Sequence, residues 1–160
     1  MIQGWLNVKN LVSLKQERVS NGQRGNNTKV SNIEFLKKRA SEFWERANED
    51  FEKGRYNLAA LDVEQSVQLW IKYLIYLKSF DFPKTHYLDR LFNELAEVYE
   101  TKEILEFYKE HSLEFRGLED AYITSRYFPK EFNKDEIQKI IEFAKKIFKF
   151  LEDKLNEKFI

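Results

Sequence analysis

The sequence predicts an all-α protein, an antiparallel up-and-down bundle of four to five main helices that follows an N-terminal extension. Three observations predict it. Apolar residues recur at spacings of three and four along several segments, turn-forming residues separate these segments, and residues 32–160 hold no stretch with the two-residue period of a strand. A chain of 160 residues suffices for one domain with one core. We therefore divide the chain into an extension, residues 1–31, and a bundle, residues 32–160.

The extension has the least helical composition and a basic charge. The stretch SNGQRGNNTKVSN, residues 20–32, holds two glycines and four asparagines, which predicts a loop. Residues 1–32 carry five basic side chains and one acidic side chain, although the whole chain has no net charge. Such an arm either extends into solvent or contacts nucleic acid.

The first two predicted helices form an antiparallel hairpin. Helix one begins near Ser31 or Asn32, both favourable N-cap residues, and ends at Gly54, a natural glycine beyond a helix C-terminus. Helix two runs from Asn57 to about Lys78 with an unbroken apolar seam. Because the link between them is short, the two helices are expected to lie side by side in opposite directions.

The second half of the chain predicts shorter helices and one long final helix. Thr85 is the predicted N-cap of helix three, and a shorter helical piece follows Thr101. Another piece covers residues 118–124 and stops before Pro129, which cannot continue a helix and favours extended backbone just before it. The final helix carries an apolar stripe over residues 137–155.

Several kinds of chemistry are excluded by composition and spacing. The chain has no cysteine and two histidines, and Pro83 and Tyr108 stand where a Glu-x-x-His iron motif needs glutamate. The five glycines are scattered singly, so no phosphate-binding loop exists, and no G-x-S-x-G motif occurs. We predict no cofactor, no metal and no catalytic residue. Without a long apolar run or a signal-peptide pattern, we expect a cytoplasmic protein with no membrane contact.

One polar face on helix two is a candidate site. Gln65, Gln68 and Lys72 are spaced so that they share one face, opposite the apolar seam. Two interpretations remain open at this stage: a solvated face, or a polar groove or dimer surface.

The second candidate site is the stretch SRYFP, residues 125–129. Arg126 is a bidentate donor to anions, and Tyr127 offers a ring on which a base could stack. Arg126 could equally cap the helix C-terminus or pair with Glu119 or Asp120. His86 is placed in the first turn of helix three, beside free backbone N–H groups that attract phosphate, although a first-turn histidine is commonly a plain surface residue.

The order of five short motifs resembles the HEPN domain family (higher eukaryotes and prokaryotes nucleotide-binding). The motifs are an acid before Gly54-Arg55-Tyr56, then Gln65, Lys72, His86-Tyr87-Leu88, and Arg126-Tyr127-Phe128-Pro129. The resemblance covers about residues 33–155. Two departures are Gln68, where the family often has an acid, and Phe128, an extra residue within the Arg-Tyr-Pro element.

The resemblance also implies what this chain lacks. The nuclease branch of the family uses an arginine and a later histidine with four to six residues between them. His86 would need an arginine among residues 79–81 and His111 among residues 104–106, and neither range contains one. The resemblance therefore indicates the non-catalytic branch, with Arg126, Tyr127, His86, Lys72 and Gln65 as candidate ligand-binding residues.

Three functions follow as hypotheses. The first is a nucleotide- or RNA-associated module, a homodimer that partners a minimal nucleotidyltransferase in a toxin–antitoxin-like pair, as the resemblance implies. The second is a helical bundle that serves only oligomerisation or protein interaction. The third, a metal-independent ribonuclease, is disfavoured because its motif is missing. The composition, rich in lysine and glutamate and free of cysteine, also leans towards a thermophile.

Overall fold

Six helices make up the part of the chain that the structure describes. The computed structural model describes residues 25–159. In chain order the helices are α1 (Gly25–Glu52), α2 (Tyr56–Ser79), α3 (Leu88–Val98), α4 (Glu103–Glu110), α5 (Ser112–Tyr127) and α6 (Lys134–Leu155). No strand occurs among these residues, so the predicted all-α fold is confirmed. The predicted count of four to five main helices is one short of the six observed.

The chain divides into two compact units, Met1–Ile33 and Glu34–Ile160. Every contact discussed below lies within the second unit. The predicted extension, residues 1–31, falls mostly outside the described residues, and its boundary with the bundle stays a prediction. The predicted loop over residues 20–32 is wrong in its described part, because α1 already begins at Gly25. Asparagine and glycine are poor helix formers, but adding residues to an existing helix is far easier than starting one.

α1 and α2 form the predicted antiparallel hairpin. Gly54 makes the turn between them with a φ of 73°, a backbone conformation that glycine adopts without steric cost. Three side-chain contacts fix the register, and their residue numbers rise along α1 as they fall along α2. They join Glu34 to Tyr73, the Ala40 carbonyl to Ser66, and Arg46 to Asp62.

Two ion pairs with buried carboxylates secure this hairpin. Arg46 holds Asp62 through two parallel hydrogen bonds of 2.6 and 2.7 Å, and the Asp62 side chain is only 2% exposed. Arg55, in the turn itself, reaches back to the buried Asp50 at 2.6 Å. Removing one partner of such a pair leaves an unpaired buried charge, which costs about 3–5 kcal/mol.

α2 is the central helix of the bundle. Sixteen of its 24 residues are buried, and it packs against α3, α5 and α6. Trp70 is completely buried, as its place on the apolar seam predicts. A helix covered on so many sides must bury polar side chains as well as apolar ones, and this property shapes the candidate site.

An aromatic cluster joins the second half of the chain. Phe107 of α4 stacks on Phe150 of α6 at 4.0 Å between ring centroids, and Phe115 of α5 meets Phe143 of α6 edge-on at 4.9 Å. Residue numbers again rise on one side as they fall on the other, so α4 and α5 run antiparallel to α6. Phe92 of α3 contacts Phe115 at 4.8 Å and joins α3 to the cluster.

Two predicted helix boundaries are wrong. α3 begins at Leu88 with Tyr87 as its N-cap residue, and the Thr85 hydroxyl instead accepts a hydrogen bond from the Tyr87 N–H. α5 is 16 residues long and begins at Ser112, not at residue 118, because Phe115 extends its buried seam by a turn. α5 ends at Tyr127, three residues beyond the predicted Thr124, and Phe128 before Pro129 is extended as predicted, with φ −122° and ψ 147°.

Candidate functional site

A ladder of polar side chains lies buried along α2. Gln68 donates from Nε2 to Glu64 at 3.0 Å, and Lys72 donates from Nζ to Gln68 Oε1 at 3.0 Å. Gln65 donates to the other Glu64 oxygen at 3.0 Å. Because an ammonium group only donates, Lys72 fixes which end of the Gln68 amide faces Glu64. The ladder is therefore directional, and Glu64 is its final acceptor.

This burial decides between the two interpretations of the polar face. Gln68 is 2% exposed and Lys72 is 1% exposed, so the predicted solvated face is wrong for both residues. The reason is the central position of α2, which leaves it no side facing solvent near these residues. Lys72 lies too deep to touch a ligand directly in this conformation. Gln65 is half-buried and bonded to Glu64, so its predicted role as a ligand contact is not supported by its placement.

Burial alters the acid–base properties of the ladder. Desolvation raises the pKa of Glu64 from 4.5 to about 7, although the hydrogen bonds from Gln68 and Gln65 oppose the rise. The negative charge of Glu119 on α5 raises it further. Desolvation also lowers the pKa of Lys72 from 10.5 to about 8, and the charge of Glu64 limits that fall. The ladder thus holds an acid and a base that both titrate near neutral pH.

Arg126 lies at the end of α5, between two aromatic rings. The centre of its guanidinium group is 4.2 Å from the ring centroid of Tyr122 and 4.6 Å from that of Tyr127. Tyr122 is buried, whereas Tyr127 is 68% exposed, so the group spans the boundary between core and solvent. Its Nε atom is buried without a hydrogen-bond partner among the described residues.

Of the alternative roles predicted for Arg126, the ion pair is not seen, whereas the residue does lie in the last turn of α5, where a cation stabilises the helix dipole. Among the described residues, no ion pair joins it to Glu119 or Asp120. The contacts of its side chain with the rest of the chain are aromatic instead, and stacking of this kind stabilises a guanidinium group while leaving its donors free.

The stretch after Arg126 is held in place by α2. The Asn57 side chain donates to the Lys130 carbonyl at 2.8 Å and accepts from the Phe132 N–H at 3.0 Å. These two bonds tie the crossing segment between α5 and α6 to the first turn of α2. They fix the backbone just beyond Tyr127 and Phe128, two of the most exposed aromatic residues in the described chain.

His86 lies before α3, not in its first turn, and its surroundings differ from the prediction. Glu119 of α5 accepts a hydrogen bond from the Leu88 N–H at 2.8 Å, so a carboxylate already occupies the helix N-terminus. The Asp89 side chain accepts from the Arg90 N–H at 2.8 Å. Two of the backbone N–H groups expected to attract phosphate, those of Leu88 and Arg90, are therefore engaged. Partial burial raises the pKa of Glu119, and the Leu88 bond and the charge of His86 oppose that rise.

An open groove runs beside His86. Its lining includes Lys84, Thr85, His86, Tyr87, Arg90 and Glu94. The guanidinium group of Arg90 lies 5.3 Å from the ring centroid of Tyr87, and the His86 ring lies 4.3 Å from the same ring. The groove therefore combines several nitrogen donors with one half-exposed aromatic ring.

The structure brings the predicted residues into three groups. Arg126 and Tyr127 adjoin each other on the surface, Lys72 and Gln65 belong to the buried ladder, and His86 lies by the groove. Reasoning from the sequence missed Glu64 and Tyr122, and it named Glu119 as a partner of Arg126, whereas Glu119 accepts a hydrogen bond from the Leu88 N–H. Glu64 stands four residues before Gln68, and that spacing is a signal, but only burial turns it into a ladder. Glu119 and Tyr122 depend on packing between distant segments, which no local pattern reports.

The arrangement at the end of α5 can bind an anion. Within residues 33–159 no group of three or more histidine, aspartate or glutamate side chains has metal-binding geometry. A guanidinium group beside an exposed tyrosine can pair with an anion and stack a planar ring at the same time. No described helix has both the length and the apolar character needed to cross a bilayer.

Comparison with known proteins agrees with this structure. A family model for the HEPN domain matches residues 33–154, about three quarters of the chain. Neither the curated proteins nor the solved structures gave a significant match.

Proposed function

Because the chain belongs to the HEPN domain family, whose members are nucleotide- or RNA-associated helical modules, we propose that it binds a nucleotide or RNA without catalysis. Arg126 supplies charge to a phosphate, and Tyr127 supplies the ring on which a base stacks. The ligand contacts are placed at the end of α5. Lys72 and Gln65, which the sequence predicted as direct contacts, belong instead to the ladder, whose Glu64 acts electrostatically on Tyr122.

The observation that carries the proposal is the state of Arg126. Its guanidinium group is held by Tyr122, lies against an exposed ring, and has no carboxylate partner among the described residues. A partly buried cation ordinarily has an anion nearby, because leaving its donors unsatisfied costs free energy. A ligand phosphate would satisfy those donors and would lie beside the Tyr127 face.

Calorimetric titration of Arg126→Ala tests this site. The ligands are adenosine 5′-monophosphate and a ten-nucleotide single-stranded RNA. Loss of a charge-assisted bond should weaken binding by about 1.5–3 kcal/mol. The matched control is Arg116→Ala, which removes an exposed arginine from the same helix. Its effect on binding should be small.

A melting curve separates binding from folding. Loss of the stack on Tyr122 should reduce the free energy of unfolding by about 1 kcal/mol, the range for a partly desolvated cation–π contact. A purely structural Arg126 would give the reverse pattern, with a large loss of stability and unchanged affinity. Absence of binding by the wild-type protein to both ligands contradicts the proposal.

The partners belong to the same proposal. From family membership we propose that the protein is a homodimer. We also propose that it binds a separately encoded minimal nucleotidyltransferase, with which it forms a toxin–antitoxin-like pair. A neighbouring gene for such an enzyme, and its co-purification with this chain, would support the pairing. Failure of the two purified proteins to associate at micromolar concentration would reject it.

A second candidate function rests on exposed apolar residues. Ile123, Tyr127 and Phe128 follow one another at the end of α5 with 43%, 68% and 60% exposure. Such a patch also suits a protein contact, so the chain could serve only to assemble with a partner. The titration above distinguishes the two, since a pure interaction module binds neither nucleotide nor RNA.

A further inference from the structure

The groove beside α3 differs from the Arg126 site in both position and composition. Lys84, His86 and Arg90 line it, opposed by a single carboxylate, Glu94. Lys84, His86 and Arg90 are exposed, and none of them makes an ion pair within 4 Å in the described part of the chain. Lys84 and Arg90 are permanent cations without an ion-pair partner in this part of the described chain, whereas the Glu119 carboxylate interacts with His86. Two such cations side by side form a surface that favours a polyanion.

The Arg90 side chain is partly ordered without a ligand. Its guanidinium group lies near the Tyr87 ring, so binding a phosphate costs this side chain less conformational entropy. Tyr87 is itself 49% exposed. The backbone N–H groups nearby are occupied by Glu119 and Asp89, so the side chains, not the helix N-terminus, make this surface attractive to phosphate.

The start of α3, beside the groove, is hydrogen-bonded to α5, the helix that carries Arg126. Glu119 ties the start of α3 to α5 through the 2.8 Å bond from the Leu88 N–H. Arg126 follows Glu119 by seven residues, which is two helical turns and about 10 Å on the same face of α5. A single nucleotide held at Arg126 therefore does not fill the groove, whereas a strand of several nucleotides passes both.

We propose that this groove binds the phosphates of a single-stranded RNA, with Lys84 and Arg90 as the main contacts. The proposal rests on the proposed function in one respect, because the RNA strand that binds the groove also stacks one of its bases on Tyr127. The ligand is then a strand of roughly four or more nucleotides, as is usual for one single-strand-binding surface. Mononucleotides engage the Arg126 site alone.

The test compares two double variants in a fluorescence anisotropy titration. The probe is a fluorescein-labelled ten-nucleotide adenosine RNA, and adenosine 5′-monophosphate is titrated separately. Lys84→Ala/Arg90→Ala removes the groove cations, and Lys145→Ala/Lys146→Ala removes two exposed cations from α6 as a control. Melting curves of both variants should match the wild type, because all four side chains are exposed.

The groove variant should weaken binding of the RNA by about tenfold or more and leave nucleotide binding unchanged. Its salt dependence should fall by about 1.4 in log–log slope, because each phosphate contact to a single strand contributes about 0.7. Glu94→Gln should tighten RNA binding severalfold, since it removes the opposing charge. The control variant should show a smaller loss.

The outcomes separate the two proposals. Equal RNA affinity in the groove variant and the control rejects the proposal that the groove binds RNA. The Arg126 site is still supported if Arg126→Ala weakens binding. Weakening by the groove variant without any effect of Arg126→Ala supports the groove and rejects the ligand site at Arg126 and Tyr127. No binding of either probe by the wild type overturns both.

Discussion

Replacing Glu64 by glutamine should change how stability depends on pH. Glu64 is 1% exposed and accepts hydrogen bonds from Gln65 and Gln68. The substitution keeps the size of the side chain and removes its ability to ionise. Because the buried carboxylate is costly only when charged, the effect of the substitution must grow with pH.

The magnitude follows from the pKa of Glu64, which is raised from 4.5 to about 7. A carboxyl group whose pKa is higher in the folded than in the unfolded protein stabilises the fold while it is protonated. That contribution is complete below pH 4.5 and is lost as the pH rises through about 7. At about 1.4 kcal/mol per pKa unit, the loss is about 3 kcal/mol.

Glutamine keeps its neutral state over this whole range. The free energy of unfolding of Glu64→Gln, minus that of the wild type, should therefore increase by about 3 kcal/mol between pH 4.5 and 8. At pH 4.5 the variant should be slightly less stable, by about 1 kcal/mol, because its NH2 group replaces one of the two oxygens that accept hydrogen bonds from Gln65 and Gln68.

Lys72 gives an internal check on the same calculation. Two hydrogen bonds of 3.0 Å join it to Glu64 through the Gln68 amide. The two charges therefore lie within about 8 Å of each other, and at an effective dielectric constant of about 20 they attract by about 2 kcal/mol. In Lys72→Met the pH at which Glu64 loses its proton should rise by about 1.5 units.

Urea denaturation in half-unit steps from pH 4.5 to 8 measures these differences. Glu52→Gln changes an exposed glutamate outside the ladder and shows how the free energy of unfolding depends on pH when a surface carboxylate is lost. If the free energies of unfolding of Glu64→Gln and the wild type change in parallel over this pH range, the pKa assigned to Glu64 is refuted.

Three further predictions concern the rest of the molecule. Asn57→Ala removes both bonds to the segment between α5 and α6 and should lower the free energy of unfolding by about 2 kcal/mol in urea denaturation, with an unchanged value counting against its role. We expect a homodimer, since several large apolar side chains are exposed. Sedimentation of the intact chain and of a form lacking residues 1–31 tests this prediction, and a monomer at micromolar concentration in both forms would reject the dimer. The protein should not cut single-stranded RNA without metal, because no arginine precedes either histidine with four to six residues between them; turnover that disappears in His86→Ala would show the opposite.

Periodicity in the sequence was sufficient for the fold class and for the hairpin of α1 and α2. Gly54 marked the turn, and Pro129 marked the end of α5, because both residues act through local backbone geometry. Local rules failed where a distant residue decides the outcome. The start of α3 is set partly by Glu119, which lies 31 residues further along the chain.

The candidate site was predicted in part for the same reason. Arg126 and Tyr127 are neighbours in sequence, so their association was visible in advance. The burial of Lys72 was not, because the period of α2 shows one apolar seam and does not reveal that other helices cover the opposite face. Tyr122, which holds Arg126, stands one helical turn before it and looks like an ordinary core residue until its ring is seen beneath the guanidinium group.

The most direct test of ligand binding at the end of α5 is a nuclear magnetic resonance titration that follows the arginine Nε–H signals. The Arg126 Nε atom is buried without a partner among the described residues, so its signal should respond strongly to a new anion. Assignment by Arg126→Lys and Arg116→Ala identifies the two signals to compare. On addition of the ten-nucleotide RNA, the account predicts a saturable shift of the Arg126 signal and a much smaller change for Arg116. An Arg126 signal that stays in place while the RNA is bound would contradict it.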